Sequence, residues 1–399
     1  MNNQWTGRQY GVFRGLLGAY LAVHFLHLMP WGGEVFSSAG MLAEAHASPL
    51  FALFPSVLHL SDAPWMIAAL IGLGAAASVL LAFGVQDRPA ALLAWYVLAC
   101  LFTRNPLIAN PALPYLGWML LAHLFVPRPG MHWRVPREIF LAAWIVLALS
   151  YSYSGYTKLL SPSWISGDTV SFVLQNPLAR DHFLRDWALS MPEGVLRALT
   201  WGILYVELLF APLALSRRLR PLLWGAMLIV QLGFLLLLNF PDLTVPMLLF
   251  HLLTFDPEWL AGRQARAGET IFYDGTCGLC HGVVRFVLSE DTKAGFRFAP
   301  LQGRHFEALV PQAVRSRLPE TFVVLTDEGR LLLKSDAVIH LLLRLGGLWR
   351  LAGSALGALP RPVRDAAYDA VGANRQRLFR RPEGLCPLVP ATLRERFSD

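Results

Sequence analysis

Charged side chains are scarce in this chain. Asp, Glu, Lys and Arg make up 15% of its 399 residues and apolar residues 55%, whereas ordinary soluble proteins carry roughly 25% charged residues. The mean hydropathy of +0.46 excludes a chain that is water-soluble along its whole length and points to a membrane protein. Short-range repeats and low-complexity tracts are missing too, as are a phosphate-cradling Gly-rich loop and a nucleophile elbow. The opening residues, MNNQWTGRQYGVFR, lack the small-residue cleavage site of a secretory signal, so the first apolar run is expected to stay as an anchor. The net charge of +7 comes largely from arginines between apolar runs and in the tail (Arg375, Arg377, Arg380, Arg381). These suit anionic lipid head groups and call for no nucleic-acid partner.

The apolar material is uneven. Long apolar runs fill Tyr10 to Phe255, while Asp256 to Asp399 has ordinary numbers of Arg, Asp and Glu. A division near Asp256 to Ala267 is therefore expected. With roughly 20 mostly apolar residues per crossing, about eight segments suggest themselves: 12–30, 66–85, 89–103, 112–127, 138–157, 196–216, 221–240 and 243–256. Arg8 and Arg14, Arg88, then Arg128, Arg134 and Arg137, then Arg217, Arg218 and Arg220 fall in alternate loops, and 31–65 has no Lys or Arg. The positive-inside rule then places both termini in the cytoplasm. The loop 158–195, with Lys158, Arg180 and Arg185, breaks the pattern.

In the C-terminal part, IFYDGTCGLCH spells C-x-x-C-H through Cys277, Cys280 and His281. That motif serves covalent haem attachment or a dithiol redox pair. Haem is attached outside the cytoplasm, and no distal ligand is suggested. Zinc would need Cys386 with His281 or His305, at spacings unlike compact paired motifs; the bland alternative is two inert packing cysteines. The surroundings favour the dithiol. Glu269 to Tyr273 is β-prone, Asp274-Gly275 turns, and Gly278 to Leu288 has apolar residues near helical spacing, so Cys277 falls at a helix start, where the dipole stabilises a thiolate. Cys280, one turn on, is placed to attack a mixed disulfide. Asp274 reads either as a proton acceptor tuning a cysteine or as a turn residue. Cys100 is expected to be buried and inert, and Cys386 to lie outside the core.

Beyond this, Gly295 to Ala299 and Thr321 to Thr326 read as strands, Arg330 to Lys334 as the return of a hairpin, and Ser335 as the N-cap of a helix from Asp336 to Leu345. The order βαβ, connecting helix, hairpin, helix is the plan of a thioredoxin fold. Tyr273-Asp274-Gly275-x-Cys277-x-x-Cys280, Phe296-Arg-Phe-Ala-Pro-Leu-Gln302, Ser335-x-Ala337, Leu345-Gly-Gly347, Pro360-Arg-Pro-Val-Arg-Asp365, Tyr368 and Asn374-Arg375 follow in order. Together they resemble the DCC family of thiol–disulfide oxidoreductases over roughly 268–390. The resemblance implies catalytic Asp274, Cys277 and Cys280, with a thiol or disulfide protein or a small thiol as partner.

One polar cluster interrupts the apolar part. SYSYSGYTKLLSPSWISGD sets Tyr151, Tyr153, Gly155, Tyr156 and Lys158 at a segment end, with Trp164 and Gly167 beyond. Interfacial aromatics and a snorkelling lysine account for this without any chemistry. The same stretch, with Arg104-Asn105-Pro106, Glu207 in YVELLFAPL and NFPDL at 239–243, resembles the HTTM domain shared with vitamin K-dependent γ-carboxylase, over roughly 8–260. The resemblance implies that Lys158 is a base toward a quinol, near a pocket that Tyr153, Tyr156, Trp164, Glu207 and Arg104 would help to line, joined by Arg180 and Arg185. Asn110 is followed by Pro111 where the carboxylase has His, and no propeptide-binding domain follows, which argues against glutamate carboxylation. His24, His27, His123 and His251 suit packing and hydrogen bonding better than cofactor ligation.

The expectation is thus a multi-pass α-helical membrane bundle of about eight spans, 8–260, followed by a small α/β thioredoxin-like domain, 268–390. Two functions follow: an inner-membrane oxidoreductase with a cytoplasmic dithiol and a membrane part that binds a quinone-like or other hydrophobic substrate, or a membrane scaffold that tethers a thiol reductase or a non-catalytic interaction domain. No metal and no certain cofactor is expected.

Overall fold

The computed structural model describes residues 5–108, 110–127, 133–262, 268–291, 293–316, 322–378 and 391–398. The chain divides into two compact units: Tyr10–Arg128 with Val135–Phe255, and Asp256–Asp399 with Asn2–Gln9 and Pro129–Arg134.

The first unit is helical. Its main helices are α1 (Gly7–Leu28), α2 (Pro64–Phe83), α3 (Asp87–Arg104), α4 (Leu113–Leu124), α5 (Arg137–Lys158), α6 (Glu193–Leu208), α7 (Arg220–Leu237) and α8 (Pro241–Thr254). Local sequence sets several of the ends. Helix α2 opens on Pro64, whose missing N–H costs nothing in a first turn, and closes on Gly84 at φ 72°, the left-handed position that glycine adopts without strain. Of the eight, α1, α2, α5 and α7 are long and apolar enough to cross a membrane. The others are shorter or more charged. The 12 residues of α4 reach only about 18 Å, against a hydrocarbon core of roughly 30 Å, and α3 carries Asp87, Arg88 and Arg104. The single segment expected over 196–216 is broken: α6 ends at Leu208, and a short helix, Phe210–Ala214, follows. Pro212 lies in that second piece and supplies no backbone N–H to a continuous helix. Large apolar side chains are exposed on the outside of the helical unit, among them Val23 (66%), Phe83 (79%) and Ile229 (71%).

The second unit holds a small mixed sheet built from β1 (Glu269–Tyr273), β2 (Phe296–Pro300), β3 (Val323–Leu325) and β4 (Leu331–Leu333), in the order β2-β1-β3-β4. Strand β1 pairs parallel with β2 and antiparallel with β3, and β3 pairs antiparallel with β4. Helix α9 (Gly278–Glu290) joins β1 to β2, short helices Arg304–Leu309 and Gln312–Arg315 follow, and α10 (Lys334–Leu345), α11 (Gly347–Gly357) and α12 (Arg361–Leu378) come after β4. This is the βαβ, connecting helix, hairpin and helix order expected from the sequence. Strand β1 is buried along its whole length because both faces are covered. Ile271 and Tyr273 join Val284, Val287 and Phe298 in one core, and Phe272 joins Phe306, Val310 and Val323 in the other, as the period of 2 dictates.

One cap differs from expectation. Helix α10 begins at Lys334 with Leu333 in the N-cap position. The Ser335 hydroxyl instead donates to Asp365 and accepts from Arg364 at 3.0 Å. A charged partner on α12 outcompetes the local amide.

Candidate functional site

Strand β1 delivers the chain to Asp274, and the next three residues make the turn into α9. The backbone N–H of Cys277 donates to the Asp274 carbonyl at 3.2 Å, and that of His281 to the Cys277 carbonyl at 3.1 Å. Cys277 is the N-cap residue of α9, at φ −103° and ψ 118°, without a side-chain cap bond. Its sulfur therefore lies at the end of the helix where N–H groups lack helical partners and negative charge is favoured. Cys280 follows one turn later. Both are free thiols in the core that includes Tyr273, Val284 and Phe298, and they are 5% and 7% exposed. Cys277 is no more open than Cys280. Burial first, and then the neighbouring Cys277 thiol, push the Cys280 thiol up to about 12.

Asp274 makes the contacts of a turn residue. Its Oδ1 accepts from the Thr276 backbone N–H at 2.9 Å, the Thr276 hydroxyl at 2.7 Å and the Gln302 amide at 3.2 Å, which is the pattern of an Asx-turn. Gln302 also accepts from the Gly275 N–H at 3.3 Å. Sequence reasoning gave Gln302 no role. The register could have found it: Tyr273 pairs with Pro300, and the Leu301 N–H continues the pairing to the Tyr273 carbonyl at 2.9 Å, so the chain beyond β2 runs beside Asp274. His281 is 5% exposed, and its Nε2 is engaged by the Gly275 carbonyl at 3.0 Å.

In the helical unit, Lys158 and Glu207 come together. Lys158 Nζ lies 2.5 Å from Glu207 Oε2, donates to the Ser154 hydroxyl at 2.6 Å and sits 5.0 Å from the centre of the Trp164 ring. The side chains of Glu207 and Lys158 are 5% and 19% exposed. Ser154 was not anticipated, although it precedes Lys158 by one helical turn. The other expected members face outward or have partners of their own. Tyr153 and Tyr156 are 69% and 57% exposed. Arg104 is fully buried, held by Asp62 at 2.9 Å and the Leu42 carbonyl at 2.9 Å, where it ties down the segment before α2. Arg180 and Arg185 donate to the carbonyls of Leu238 and Leu174.

The histidines are dispersed as well. His24 pairs with Asp242 at 3.1 Å, His123 with the Tyr10 hydroxyl at 2.8 Å and His251 with that of Tyr151 at 2.7 Å. Among the described residues, no group of three or more His, Cys, Asp or Glu side chains is placed to hold a metal ion. Cys386 lies outside the described residues. Cys100 is fully buried on α3.

A family model described as DCC1-like thiol-disulfide oxidoreductase matches residues 271–381. The uncharacterized protein YuxK of Bacillus subtilis (strain 168) is 33% identical over 133 residues, which cover 32% of this chain and 93% of YuxK. A chloroplastic DCC family protein of Arabidopsis thaliana is 31% identical over 113 residues, 28% of this chain and 66% of that protein. No solved structure matches the chain. The family match falls on the strand, turn and helix that carry both cysteines, and through this region the chain belongs to the DCC1-like thiol-disulfide oxidoreductase family.

Proposed function

We infer that the protein is a membrane-anchored thiol–disulfide oxidoreductase with a thioredoxin-like catalytic domain. The observation that carries this reading is Cys277 at the N-cap of α9 with Cys280 one turn along. The Cys277 thiolate attacks one sulfur of a partner disulfide; that S–S bond breaks, and the departing thiolate takes up a proton. Cys280 then loses its proton and attacks the Cys277 sulfur. The second partner thiol is released, and two electrons have moved from the dithiol to the partner. A Cys280 thiol held up near 12 stays protonated until that step, as suits a resolving cysteine. The partner is a protein disulfide or a small-molecule disulfide. The four long apolar helices and the exposed apolar side chains of the helical unit support membrane anchoring, and the arginine-rich loops support cytoplasmic termini.

A second reading concerns the helical unit itself. The Lys158–Glu207 pair, set in apolar helices, and the HTTM resemblance support a site for a quinone-like or other hydrophobic molecule there. Intramembrane ion pairs are costly and often mark such sites.

The test is exchange by the full chain in detergent with oxidised glutathione. Formation of the Cys277–Cys280 disulfide, abolished in Cys277→Ser and stalled as a mixed disulfide in Cys280→Ser, is expected. Absence of exchange by the reduced wild-type chain would overturn the reading.

A further inference from the structure

The third member of C-x-x-C-H has no part in the thiol–disulfide exchange itself, yet its side chain is buried and held by specific contacts. His281 is 5% exposed, and its ring meets the Tyr273 ring edge-on at 5.8 Å and 76°. Its Nε2 lies 3.0 Å from the Gly275 carbonyl. A carbonyl only accepts, so Nε2 carries the proton and donates. The backbone N–H of the same residue donates to the Cys277 carbonyl at 3.1 Å. His281 thus grips the chain on both sides of Thr276, by its side chain before the reactive cysteine and by its backbone at that cysteine. The Cys277 N–H is meanwhile held by the Asp274 carbonyl at 3.2 Å. Gly275, itself buried, has no side chain through which the turn could be anchored. Its carbonyl is what remains to be held, and the imidazole one helical turn beyond Cys277 is the group that reaches it.

We propose that His281 is a positioning residue for thiol–disulfide exchange: its Nε2–H bond to the Gly275 carbonyl fixes the turn that sets the Cys277 sulfur against Cys280. The proposal rests on the exchange reading above and adds a residue to it. It also gives the histidine of C-x-x-C-H a use that needs neither haem nor zinc, because the ring nitrogen nearest the turn already has its partner. With the turn fixed, Cys277 stays covered and the two sulfurs stay in register for closing the disulfide. With the turn loose, Cys277 opens to small reagents while closure onto Cys280 slows, because the gain from holding two reacting groups in place is lost.

The experiment compares His281→Gln, His281→Asn and His281→Ala in the full chain, by site-resolved iodoacetamide labelling and by equilibration with glutathione redox buffers. The Gln amide nitrogen falls near the position of imidazole Nε2, whereas that of Asn stops one bond short. His281→Gln should therefore label at Cys277 within about twofold of wild type. His281→Asn and His281→Ala should label about tenfold faster at Cys277 but unchanged at Cys280, and their dithiol–disulfide equilibrium constant should shift about tenfold, close to 30 mV. General unfolding would expose Cys280 equally and so overturns the proposal. So does equal behaviour of Gln and Asn, or wild-type labelling in all three variants. If the wild-type chain fails to exchange with glutathione, the oxidoreductase reading falls, but the iodoacetamide comparison still decides whether His281 holds the turn.

Discussion

Gly155 on α5 lies against the backbone of Leu208 on α6: a Cβ added at Gly155 would meet the Leu208 nitrogen and come within 2.5 Å of its Cα. The two helices cross here with nothing but backbone between them. That crossing brings Glu207, the neighbour of Leu208, to Lys158, which lies three residues beyond Gly155 on the adjoining turn. Gly155→Ala is therefore expected to push the helices apart, to lower stability by about 1–3 kcal/mol and to separate the ion pair. Thermal unfolding in detergent reads the loss of stability. A variant as stable as wild type would show that the crossing tolerates a methyl group.

How much of this was legible beforehand depended on how local the cause was. Strand β1 was legible to the residue, because Glu269 to Tyr273 is a β-prone run closed by Asp274-Gly275. The start of α9 at the cysteines was legible for the same reason. Ser335 was misjudged because its partner, Asp365, comes 30 residues later, and the Arg104–Asp62 pair was not legible because Asp62 stands 42 residues earlier. Lys158 and Glu207 each stood out as polar residues in apolar surroundings. Their pairing did not, since it depends on a helix crossing that Gly155 permits and no periodicity announces.

Removing Lys158 should leave the Glu207 carboxylate, whose side chain is 5% exposed, without its cation. Breaking a buried pair from one side costs about 3–5 kcal/mol, and the partial exposure of Lys158 places Lys158→Ala at the lower end. Adding Glu207→Gln should recover most of the loss, a coupling that a double-mutant cycle measures directly. Lys158→Arg keeps the charge and is expected to stay within about 1 kcal/mol of wild type. A guanidinium stays protonated and cannot serve as a base, so if Lys158 is a base toward a quinol bound at this site, this variant still fails to turn over a short-chain quinol probe at equal membrane abundance. Full function in Lys158→Arg would leave the pair with a structural role only.

The arginine-rich loops alternate with loops poor in positive charge, so a reporter fused after Asp399 should be active only if it folds in the cytoplasm. A paired fusion in the segment 31–65, which contains no Lys or Arg, should behave oppositely. Signal from a periplasmic reporter after Asp399 would overturn the cytoplasmic placement and would put the dithiol in an oxidising compartment.

Cys280 should respond to pH in the alkaline range. With its thiol up to about 12, Cys280 has little thiolate near neutrality, and its alkylation should rise about tenfold per pH unit through the alkaline range. The same displacement acts on stability. The folded value lies above the ordinary 9.0, so the folded chain holds the Cys280 proton more tightly than the unfolded one. That contribution is fully present below pH 9 and is lost as pH rises toward 12. Denaturant midpoints of wild type should therefore fall across this window more steeply than those of Cys280→Ala. Parallel curves would show that Cys280 does not titrate there.

Asp274 offers the sharpest separation of roles. As a turn residue it works through Oδ1, which accepts from Thr276 and Gln302, and Asn presents an oxygen at the same place. Asp274→Asn should then exchange with glutathione within about threefold of wild type, whereas Asp274→Ala, which removes the acceptor, should lose the turn and slow the reaction by about tenfold or more. A general base makes the opposite demand, because an amide cannot take a proton and the loss on Asp274→Asn would be about 10²–10⁴-fold. The Asp274 charge is also one of the lesser influences that raise the Cys280 thiol, so Asp274→Asn should shift the alkaline labelling curve of Cys280 slightly downward. A loss of that size in Asp274→Asn, with the fold intact, would transfer Asp274 from the turn to the chemistry.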